Sequence, residues 1–379
     1  MFKRLKEDRL LLLSTLILVA FGLLMVYSAS SVMALKRYGD SAYFLKRQAI
    51  WAGGGLIAMY AAWRMDYRNF KYAAIPALAV IFILLLLVLV PGIGAEINGA
   101  KRWIRIAGFS IQPSEFVKPA LIMVIAASLA RRAEKLADFW FGLGPYLLLS
   151  GAFMLLIVIE PDLGTAAALG VVIITMLFVA GAKPAHMLYL VLAVTPVLYY
   201  ELMHVSFRLK RLMVYIDPWQ DPLGKGFQTI QSFLAFGGGG LTGLGLGESR
   251  QKLLFLPEPH SDFIFSVIGE EFGLMGAISV AILFALFTLC GMRLALKCQD
   301  RFGSLLAFGL TLMIGLQSII NMGVTTGLFP NKGMPLPFIS AGGSSIFVAL
   351  LSVGMLLSIA RGNGSRAGVE VGPSMQAAR

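Results

Sequence analysis

The sequence predicts an all-α membrane protein that crosses the bilayer many times. Of its 379 residues, 58% are hydrophobic and only 14% are charged, and the mean hydropathy is +0.80. Soluble domains average about 45–50% apolar and about 25% charged residues, because they need polar surface to face water. Apolar runs close to the roughly 20 residues that cross a bilayer recur along almost the whole chain. These two observations exclude a water-soluble fold.

Ten apolar runs are counted as transmembrane helices, which would place both ends of the chain on one side of the membrane. The first run resembles a signal peptide, but its apolar part is longer than a usual signal core and nine more runs follow, so we expect a retained helix. Lys and Arg are more frequent on the side of the N-terminus, which predicts that both ends are cytoplasmic. The ten predicted spans are residues 10–28, 48–63, 72–91, 114–130, 143–160, 163–181, 185–205, 262–292, 303–326 and 343–360.

The spans are expected to form one membrane domain over residues 1–361, followed by a disordered cytoplasmic tail over residues 362–379. The longest loop, residues 206–261, lies between predicted helices 7 and 8 and is expected on the extracytoplasmic side. Its glycine-rich part suits tight turns and close backbone packing. Cys290 and Cys298 fall in a span and in a cytoplasmic loop, so no disulfide is expected.

The segment LPEPHSDFIFSVIGEE, residues 256–271, places several carboxylates at the start of an apolar helix. Acidic side chains inside a membrane are energetically costly, and those that occur there usually have a function. Asp262 is the centre of the segment, and at about 100° per residue it heads a narrow face of small residues. That face suits either close helix packing or a substrate groove. An equally good interpretation is that Ser261 and Asp262 are a helix N-cap and a first-turn acid, which satisfy free backbone N–H groups.

A second cluster lies in QPSEFVK, where Glu115 and Lys118 stand three residues apart on one helix face. A local ion pair near the membrane interface is one interpretation. In the other, Lys118 pairs with an acid on a different helix, and Asp262 is the obvious candidate. Such a pair would keep the carboxylate ionised in a place of low dielectric constant.

Basic residues are unusually numerous in the loops predicted to be external. They are either solvated charges and lipid-headgroup anchors, or a basic vestibule for an anionic substrate. The charge is spread over loops of a membrane protein, which argues against nucleic acid as a partner. The residues concerned are Lys101, Arg102 and Arg105, then Arg208, Lys210 and Arg211, and finally Lys332.

Two further segments carry polar residues at the ends of spans. In EPDLGT, Asp162 and Thr165 are interpreted as a helix cap. In FPNKGMPLPFISAGGSS, residues 329–345, three prolines forbid a regular helix, so a re-entrant loop that lines a cavity is expected. The loop leads into a helix N-terminus near Ser344, where an anion would be stabilised.

These motifs resemble the SEDS family, the shape, elongation, division and sporulation proteins of bacteria. The resemblance covers nearly the whole chain, and its IGEE and PNKG motifs look more like the division member than the elongation member. Asn331, Pro259 and Ala341 depart from the residues usual in the division member. The motifs, in the order of the family, are VYSAS, NGAKRWI, QPSEFVK, EPDLGTA, FLPEPHSDFIFSVIGEEFG and PLPFISAGGSS.

The resemblance implies a ten-span glycosyltransferase that polymerises lipid II on the outer face of the bacterial cytoplasmic membrane, at the division septum. It also implies a complex with a class B penicillin-binding protein and other division proteins. The Asp of the family's PE-x-H-[ST]-D motif, here Asp262, is essential, and we expect it to act as the general base. Glu115 and Lys118 match residues that line the same cavity, and Lys332 matches a lysine that is also implicated.

The remaining expectations concern binding residues, cofactors and rival functions. No sequence signature demands a metal, although a divalent cation such as Mg²⁺ or Mn²⁺ could offset the charge of a leaving diphosphate. A lipid II flippase, an elongation polymerase, a proton-coupled transporter that uses Asp262 and Glu270, and a non-catalytic scaffold stay open as alternatives. The residues expected to bind substrate are Lys332, Arg102, Lys101, Arg208, Lys210, Ser344 and His260.

Overall fold

The computed structural model describes residues 7–97, 100–106, 108–204, 213–224, 226–253 and 258–369. Within these residues the chain is a bundle of long helices, and each of the ten predicted spans coincides with a helix. The helices are α1 (Glu7–Tyr38), α2 (Tyr43–Arg64), α3 (Phe70–Leu89), α4 (Pro113–Arg132), α5 (Gly144–Ile159), α6 (Leu163–Val179), α7 (Pro184–His204), α8 (Phe227–Gly239), α9 (Ile264–Lys297), α10 (Arg301–Thr325) and α11 (Gly343–Val369).

Seven of these helices are long and apolar enough to cross a membrane, counted over the described residues: α1, α3, α4, α5, α9, α10 and α11. Helix α6 and the first part of α7 are apolar but shorter. Helix α2 has the polar residues Lys46, Arg47 and Gln48 in its first turns, and it packs against α11. A Cβ on its Gly55 would meet the side chain of Leu350 in α11 at 2.7 Å. The chain is therefore a helical membrane protein with several apolar spans, as predicted.

The all-α expectation is incomplete, because a small antiparallel sheet joins α3 to α4. Its strands are β1 (Gly94–Ile97), β2 (Ala100–Ile106) and β3 (Phe109–Ile111), in the order β1-β2-β3. Three contacts fasten it to the bundle. Arg47 of α2 donates a hydrogen bond to the carbonyl of Gly108, Arg102 of β2 contacts the α5–α6 turn, and the backbone N–H of Gln112 donates to Ser344.

Helix α9 is interrupted at Gly273, whose φ of 66° and ψ of −164° are not helical. An L side chain rarely adopts this backbone conformation, which explains the glycine. Four backbone hydrogen bonds of 2.9–3.2 Å join the glycine-rich segment 240–245 to residues on both sides of the break, 270–271 and 274–275. The predicted turns and close packing of this glycine-rich loop are thus present, and they satisfy polar groups that the interruption exposes.

The small-residue face of α9 packs closely against α8, so the structure realises the close-packing interpretation of that face. The hydroxyl oxygens of Ser232 and Ser266 lie 2.5 Å apart, and Ser232 also donates to the carbonyl of Thr325. Where the helices approach most closely, a Cβ on Gly239 would overlap the backbone oxygen of Gly269. This contact fixes the first turns of α9.

We predict that Gly239→Ala destabilises the protein, whereas Gly238→Ala does not. Alanine favours a helix by about 1 kcal/mol over glycine, and a Cβ on Gly238 meets nothing within 4 Å. At Gly239 the added methyl must push two backbones apart, and overpacking of this kind costs about 1–3 kcal/mol. Thermal unfolding of both variants in detergent measures the difference. Equal unfolding temperatures for the two variants would contradict the close contact.

Candidate functional site

A cavity of about 1010 Å³ opens at the end of the bundle where α2, α4, α6, α9 and α11 begin. Its wall is polar on one side and apolar on the other. The polar side carries Arg102, Glu115, Asp162, Asp262 and Lys332. The apolar side is built from two helices whose residues recur every four positions and so share a face: Leu163, Ala167 and Val171 of α6, and Leu316, Ile320 and Val324 of α10.

Asp262 lines this cavity from the turn before α9. The helix begins at Ile264, and its N-cap residue, Phe263, makes no side-chain cap hydrogen bond, so the N-cap interpretation of Ser261 and Asp262 is wrong. The carboxylate of Asp262 instead accepts a hydrogen bond of 3.1 Å from the Ser261 hydroxyl. Burial raises the pKa of Asp262 to about 6, while the Ser261 hydrogen bond acts in the opposite direction.

The loop between α10 and α11 holds the segment around Asp262 through hydrogen bonds. The backbone N–H of Ala341 donates to the carbonyl of His260 at 2.8 Å, and the Ser340 hydroxyl donates to the carbonyl of Ser261 at 2.7 Å. Gln48 of α2 reaches the other side of the same loop, where its amide donates to the carbonyl of Ser340. The loop is non-helical and lines the cavity, as its three prolines predict.

Glu115 and Lys118 form the local ion pair, not the pair across helices. The Lys118 ammonium lies 2.8 Å from Glu115 and 3.0 Å from the side-chain oxygen of Gln317, and Glu115 reaches the cavity wall. Both charged side chains are almost fully buried, at 6% and 4% exposure. Removing one partner of such a pair strands a buried charge, which is costly. The structure therefore gives Lys118 a partner other than Asp262.

Among the described residues, two basic side chains reach the cavity, those of Arg102 and Lys332. Arg102 donates hydrogen bonds to the carbonyls of Glu160 and Pro161. Lys332 lies against the first turn of α6, because a Cβ built on Gly164 would meet its side-chain nitrogen at 2.6 Å. The next residue, Gly333, is equally close to Asp262, since a Cβ there would lie 2.7 Å from the carboxylate. The loop thus brings a lysine and the candidate base to one place.

The EPDLGT segment caps a helix, as predicted, and adds a second buried acid. The carboxylate of Asp162 accepts hydrogen bonds from the backbone N–H and the hydroxyl of Thr165, at 3.1 and 2.9 Å. Neither carboxyl oxygen of Glu160 has a hydrogen-bond partner among the described residues. Burial, followed by the charge of Asp162, raises the pKa of Glu160 to about 8. The raised pKa favours the neutral form of the Glu160 carboxyl near neutral pH.

Several residues expected to bind substrate do not line the cavity. Lys101 is exposed on β2, and Ser344 is buried where it accepts a hydrogen bond from Gln112, while its neighbour Ser345 reaches the cavity. His260 is buried with its ring 4.2 Å from that of Phe44, and burial lowers its pKa to about 4, so it is neutral. The predicted residues Arg208 and Lys210 lie outside the described residues.

Glu270 and Glu271 fasten the loop before Asp262 to the bundle. The carboxylate of Glu270 accepts hydrogen bonds from the hydroxyl of Ser249 and from two backbone N–H groups of the same turn. The carboxylate of Glu271 binds the hydroxyl of Ser28 in α1 and lies 2.8 Å from the ammonium of Lys252. Neither glutamate lines the cavity, so we interpret both as structural residues.

Metal ligands are not clustered in the part of the chain that the structure describes, where no group of three His, Cys, Asp or Glu residues could hold an ion. Sequence reasoning also missed two uncharged residues, Gln317 and Asn321, which lie one turn apart on α10 and contact the segments that carry Lys118 and Asp262. Their polar side chains in an otherwise apolar span were the signal that could have found them.

The fold and the cavity define a class of protein: a multi-pass membrane protein whose cavity is charged at one end and apolar beyond it. The family model of the cell cycle proteins FtsW, RodA and SpoVE matches residues 8–364. The Geobacter metallireducens protein named "Probable peptidoglycan glycosyltransferase FtsW" is 50% identical over 354 residues, which are 93% of this chain and 94% of that protein. Stage V sporulation protein E of Bacillus subtilis is 44% identical over 359 residues, 95% and 98% of the two chains.

Solved structures agree with these sequence relatives. The rod shape determining protein RodA of Thermus thermophilus superposes with a TM-score of 0.68 at 28% identity, covering 93% of this chain and 95% of that one. A structure of a peptidoglycan synthase complex that coordinates polymerization and crosslinking gives a TM-score of 0.76 at 29% identity, with coverages of 93% and 97%. The chain belongs to the FtsW/RodA/SpoVE family, which confirms the resemblance stated from its motifs, including the greater similarity to the division member.

We predict that Lys252→Met lowers the free energy of unfolding by about 3–5 kcal/mol, because it leaves the buried carboxylate of Glu271 without its counter-ion. The side chains of Lys252 and Glu271 are only 5% and 0% exposed. The exposed pair of Lys46 with Asp40 is the matched control, and Lys46→Met should change stability little. Unfolding midpoints in detergent give both values. Similar shifts for the two methionine variants would show that the buried Lys252–Glu271 pair contributes no more to stability than the exposed pair.

Proposed function

We propose that this chain is a peptidoglycan glycosyltransferase that polymerises lipid II, a disaccharide-peptide joined to a polyprenyl chain through diphosphate, during cell division. One observation carries the proposal: a single cavity holds a carboxylate of raised pKa, two cationic side chains and an apolar wall. The relatives named FtsW support the same activity at 50% identity. A substrate with a sugar, an anionic diphosphate and a long hydrocarbon needs all three parts of such a cavity.

The reaction uses Asp262 as the general base. The acceptor's sugar hydroxyl attacks the donor's anomeric carbon, a new carbon–oxygen bond forms, and the bond to the diphosphate oxygen breaks. Asp262 takes the hydroxyl proton as the attack proceeds, a contribution typically of about 10²–10⁴-fold. A pKa near 6 leaves the carboxylate largely ionised at neutral pH and still basic enough to accept a proton.

The leaving diphosphate gains negative charge, which the cations at the cavity wall stabilise. Lys332 lies beside the turn that carries Asp162, and the neighbouring Gly333 lies beside Asp262, so the lysine is held close to the reacting groups. Arg102 lines the same wall and is fixed through its hydrogen bonds to the α5–α6 turn. Charged groups held in place before the reaction need no reorganisation during it, which makes such stabilisation effective.

The apolar faces of α6 and α10 suit the hydrocarbon part of the substrate. They begin beside Gly164 and Val324, next to the polar end of the cavity, and continue along both helices. A polyprenyl chain placed there would keep its hydrocarbon out of water, at about 0.8 kcal/mol per buried CH₂ group. This arrangement explains why an enzyme that joins sugars is embedded in a membrane.

The topology that fits this function has ten spans, with both ends in the cytoplasm and the cavity open to the outer face. The helices that coincide with the ten predicted spans support this number. The excess of Lys and Arg in the loops on the side of the chain ends supports the orientation. We place the protein in the cytoplasmic membrane at the division septum, in line with its relatives named FtsW.

A class B penicillin-binding protein is the proposed partner. The support is the similarity, at a TM-score of 0.76, to a chain in a peptidoglycan synthase complex that coordinates polymerization with crosslinking. A divalent cation, Mg²⁺ or Mn²⁺, is proposed to enter with the diphosphate rather than to reside in the protein. Mg²⁺ is commonly held by one or two carboxylates together with substrate phosphates, and Asp162 and Asp262 both line the cavity.

The alternative of a lipid II flippase is less well supported, because a flippase needs polar groups in both halves of the membrane. The charged residues that line the described cavity belong to one end of the bundle: Arg102, Glu115, Asp162, Glu258, Asp262 and Lys332. An elongation polymerase would have the same chemistry and would differ in its partner and its place in the cell.

We predict that Asp262→Asn abolishes polymerisation of lipid II by the purified protein in complex with its penicillin-binding partner. The wild-type rate should fall as the pH is lowered through about 6, because protonation of the raised-pKa carboxylate removes the base. Glycan chains resolved on a gel measure both effects. Normal chain formation by Asp262→Asn would rule out the base, and wild type that moves labelled lipid II across vesicles without making chains would favour the flippase.

We predict that Gly164→Ala lowers the polymerisation rate by about 10²-fold, the loss expected when one charge-stabilising group is displaced. The added methyl would collide with the flexible end of Lys332, so the fold should survive. In a Lys332→Ala background the same substitution should have no further effect. Gly151→Ala in α5 is the control, since a Cβ there meets nothing within 4 Å. Additive losses in the double variant would show that Gly164 does not act through Lys332.

A further inference from the structure

Asn321 of α10 lies beneath the candidate base and joins two segments that are distant in sequence. Its side-chain nitrogen donates to the carbonyl of Asp262 at 2.9 Å and to the carbonyl of Met334 at 2.7 Å. Because both partners are carbonyls, the nitrogen of the amide must face them. The residue is 1% exposed, and its oxygen has no hydrogen-bond partner among the described residues. The two donated hydrogen bonds are therefore what the buried amide contributes.

Gln317 repeats this arrangement one turn away on the same face of α10. Its side-chain oxygen accepts a hydrogen bond of 3.0 Å from the Lys118 ammonium, and its nitrogen donates to the carbonyl of Pro335 at 2.8 Å. Met334 and Pro335 are consecutive residues of the loop that also carries Lys332. One helix face thus holds three separate parts of the cavity: the Glu115–Lys118 pair, the turn of Asp262 and the loop of Lys332.

We propose that Gln317 and Asn321 are positioning residues for the glycosyl transfer, and that they set the distance between the base Asp262 and the cationic side chains around it. The inference rests on the proposed function and extends it to two uncharged residues. Neither side chain lines the cavity, so each acts through the groups it holds.

The rigidity of the arrangement follows from where the two amides are attached. A helix places residues four apart on one face at a fixed spacing, so the two amides keep their distance as long as α10 is intact. The segment of the base precedes α9, and the side chain of Asp262 bonds only to Ser261 among the described residues. Ala341 and Ser340 hold the two residues before it, and Asn321 holds the backbone carbonyl of Asp262 itself. Hydrogen bonds from α10 to the backbone therefore fix where the Asp262 side chain starts.

The test is the kinetics of lipid II polymerisation by the complex with the penicillin-binding partner, using variants of similar size. Asn321→Leu removes both hydrogen bonds to the Asp262 turn and the loop. We expect kcat to fall about 10²-fold, the loss that a misplacement of about 1 Å produces, with KM within about 3-fold of wild type because no group in contact with substrate is lost. Gln317→Met should lower kcat by about 10-fold, since it removes the bonds to Lys118 and to Pro335 in the Lys332 loop but leaves the bond to the Asp262 turn.

The control is Ser318→Ala, which removes a buried hydroxyl from the same helix. In the described part of the chain that hydroxyl bonds only within α10, to the carbonyl of Gly315, so kcat should stay within about 2-fold of wild type. Size-exclusion profiles and retention of the partner show which variants are folded; if Asn321→Leu is not folded, Gln317→Met decides the matter.

Three outcomes can be told apart in this assay. If the wild type makes chains and both Asn321→Leu and Gln317→Met retain the wild-type kcat, the positioning role is overturned. The proposed function is then left intact. An equal fall in Ser318→Ala would also overturn it, since general damage to α10 would then suffice. Wild type that makes no chains from lipid II would instead refute the proposed function itself.

Discussion

The structure depends on one constraint: non-helical backbone inside a helix bundle must find hydrogen-bond partners without help from bulk water. The chain between α10 and α11 meets this constraint with side chains from other elements. Gln317 and Asn321 of α10 supply donors to its carbonyls, and Gln48 of α2 binds its far end. The loop can therefore stay irregular in the interior, and an irregular loop is what carries Lys332 to the cavity.

The same constraint shapes the interruption of α9. A break at Gly273 would leave helix carbonyls and N–H groups unpaired, and the backbone of the glycine-rich segment 240–245 pairs with them. Close approach of the two backbones leaves no room for a Cβ at Gly239, Gly243 and Gly273. Glu270 and Glu271 then fasten the following turn, residues 249–252, through hydrogen bonds and an ion pair. The glycine-rich segment therefore packs closely against α9 and supplies hydrogen bonds to the interrupted helix.

Much of the fold could be predicted from the sequence, because the thickness of a bilayer sets the length of the apolar run that a spanning helix needs. The ten predicted spans coincide with helices for this reason. The sheet over residues 94–111 could not, since β1 has four residues and β3 only three, too few for alternation to be recognised. Its position became evident only from contacts such as that of Arg102 with the α5–α6 turn.

The site was predictable in its charged residues and not in its uncharged ones. A carboxylate or lysine in an apolar segment is conspicuous, so Asp262, Glu115 and Lys118 were found. Asn321 and Gln317 stand in an apolar span without charge, and their partners are 59 and 199 residues away. A sequence shows that such an amide is polar, but the identity of its partner depends on the folded chain. For the same reason the sequence left open a pair between Lys118 and Asp262, whereas in the structure Lys118 contacts Glu115 and Gln317.

The constraint on buried polar groups also separates three of the four acids in the segment of residues 256–271, namely Asp262, Glu270 and Glu271. The carboxylate of Glu270 accepts hydrogen bonds from three residues, and that of Glu271 is held by Ser28 and Lys252. Asp262 accepts one, from Ser261, among the described residues. Donors already occupy the carboxylate oxygens of Glu270 and Glu271, whereas Asp262 faces a cavity, where a ligand can reach its remaining lone pairs. Of these three carboxylates, only Asp262 lines the cavity, and burial raises its pKa to about 6, which suits proton transfer near neutral pH.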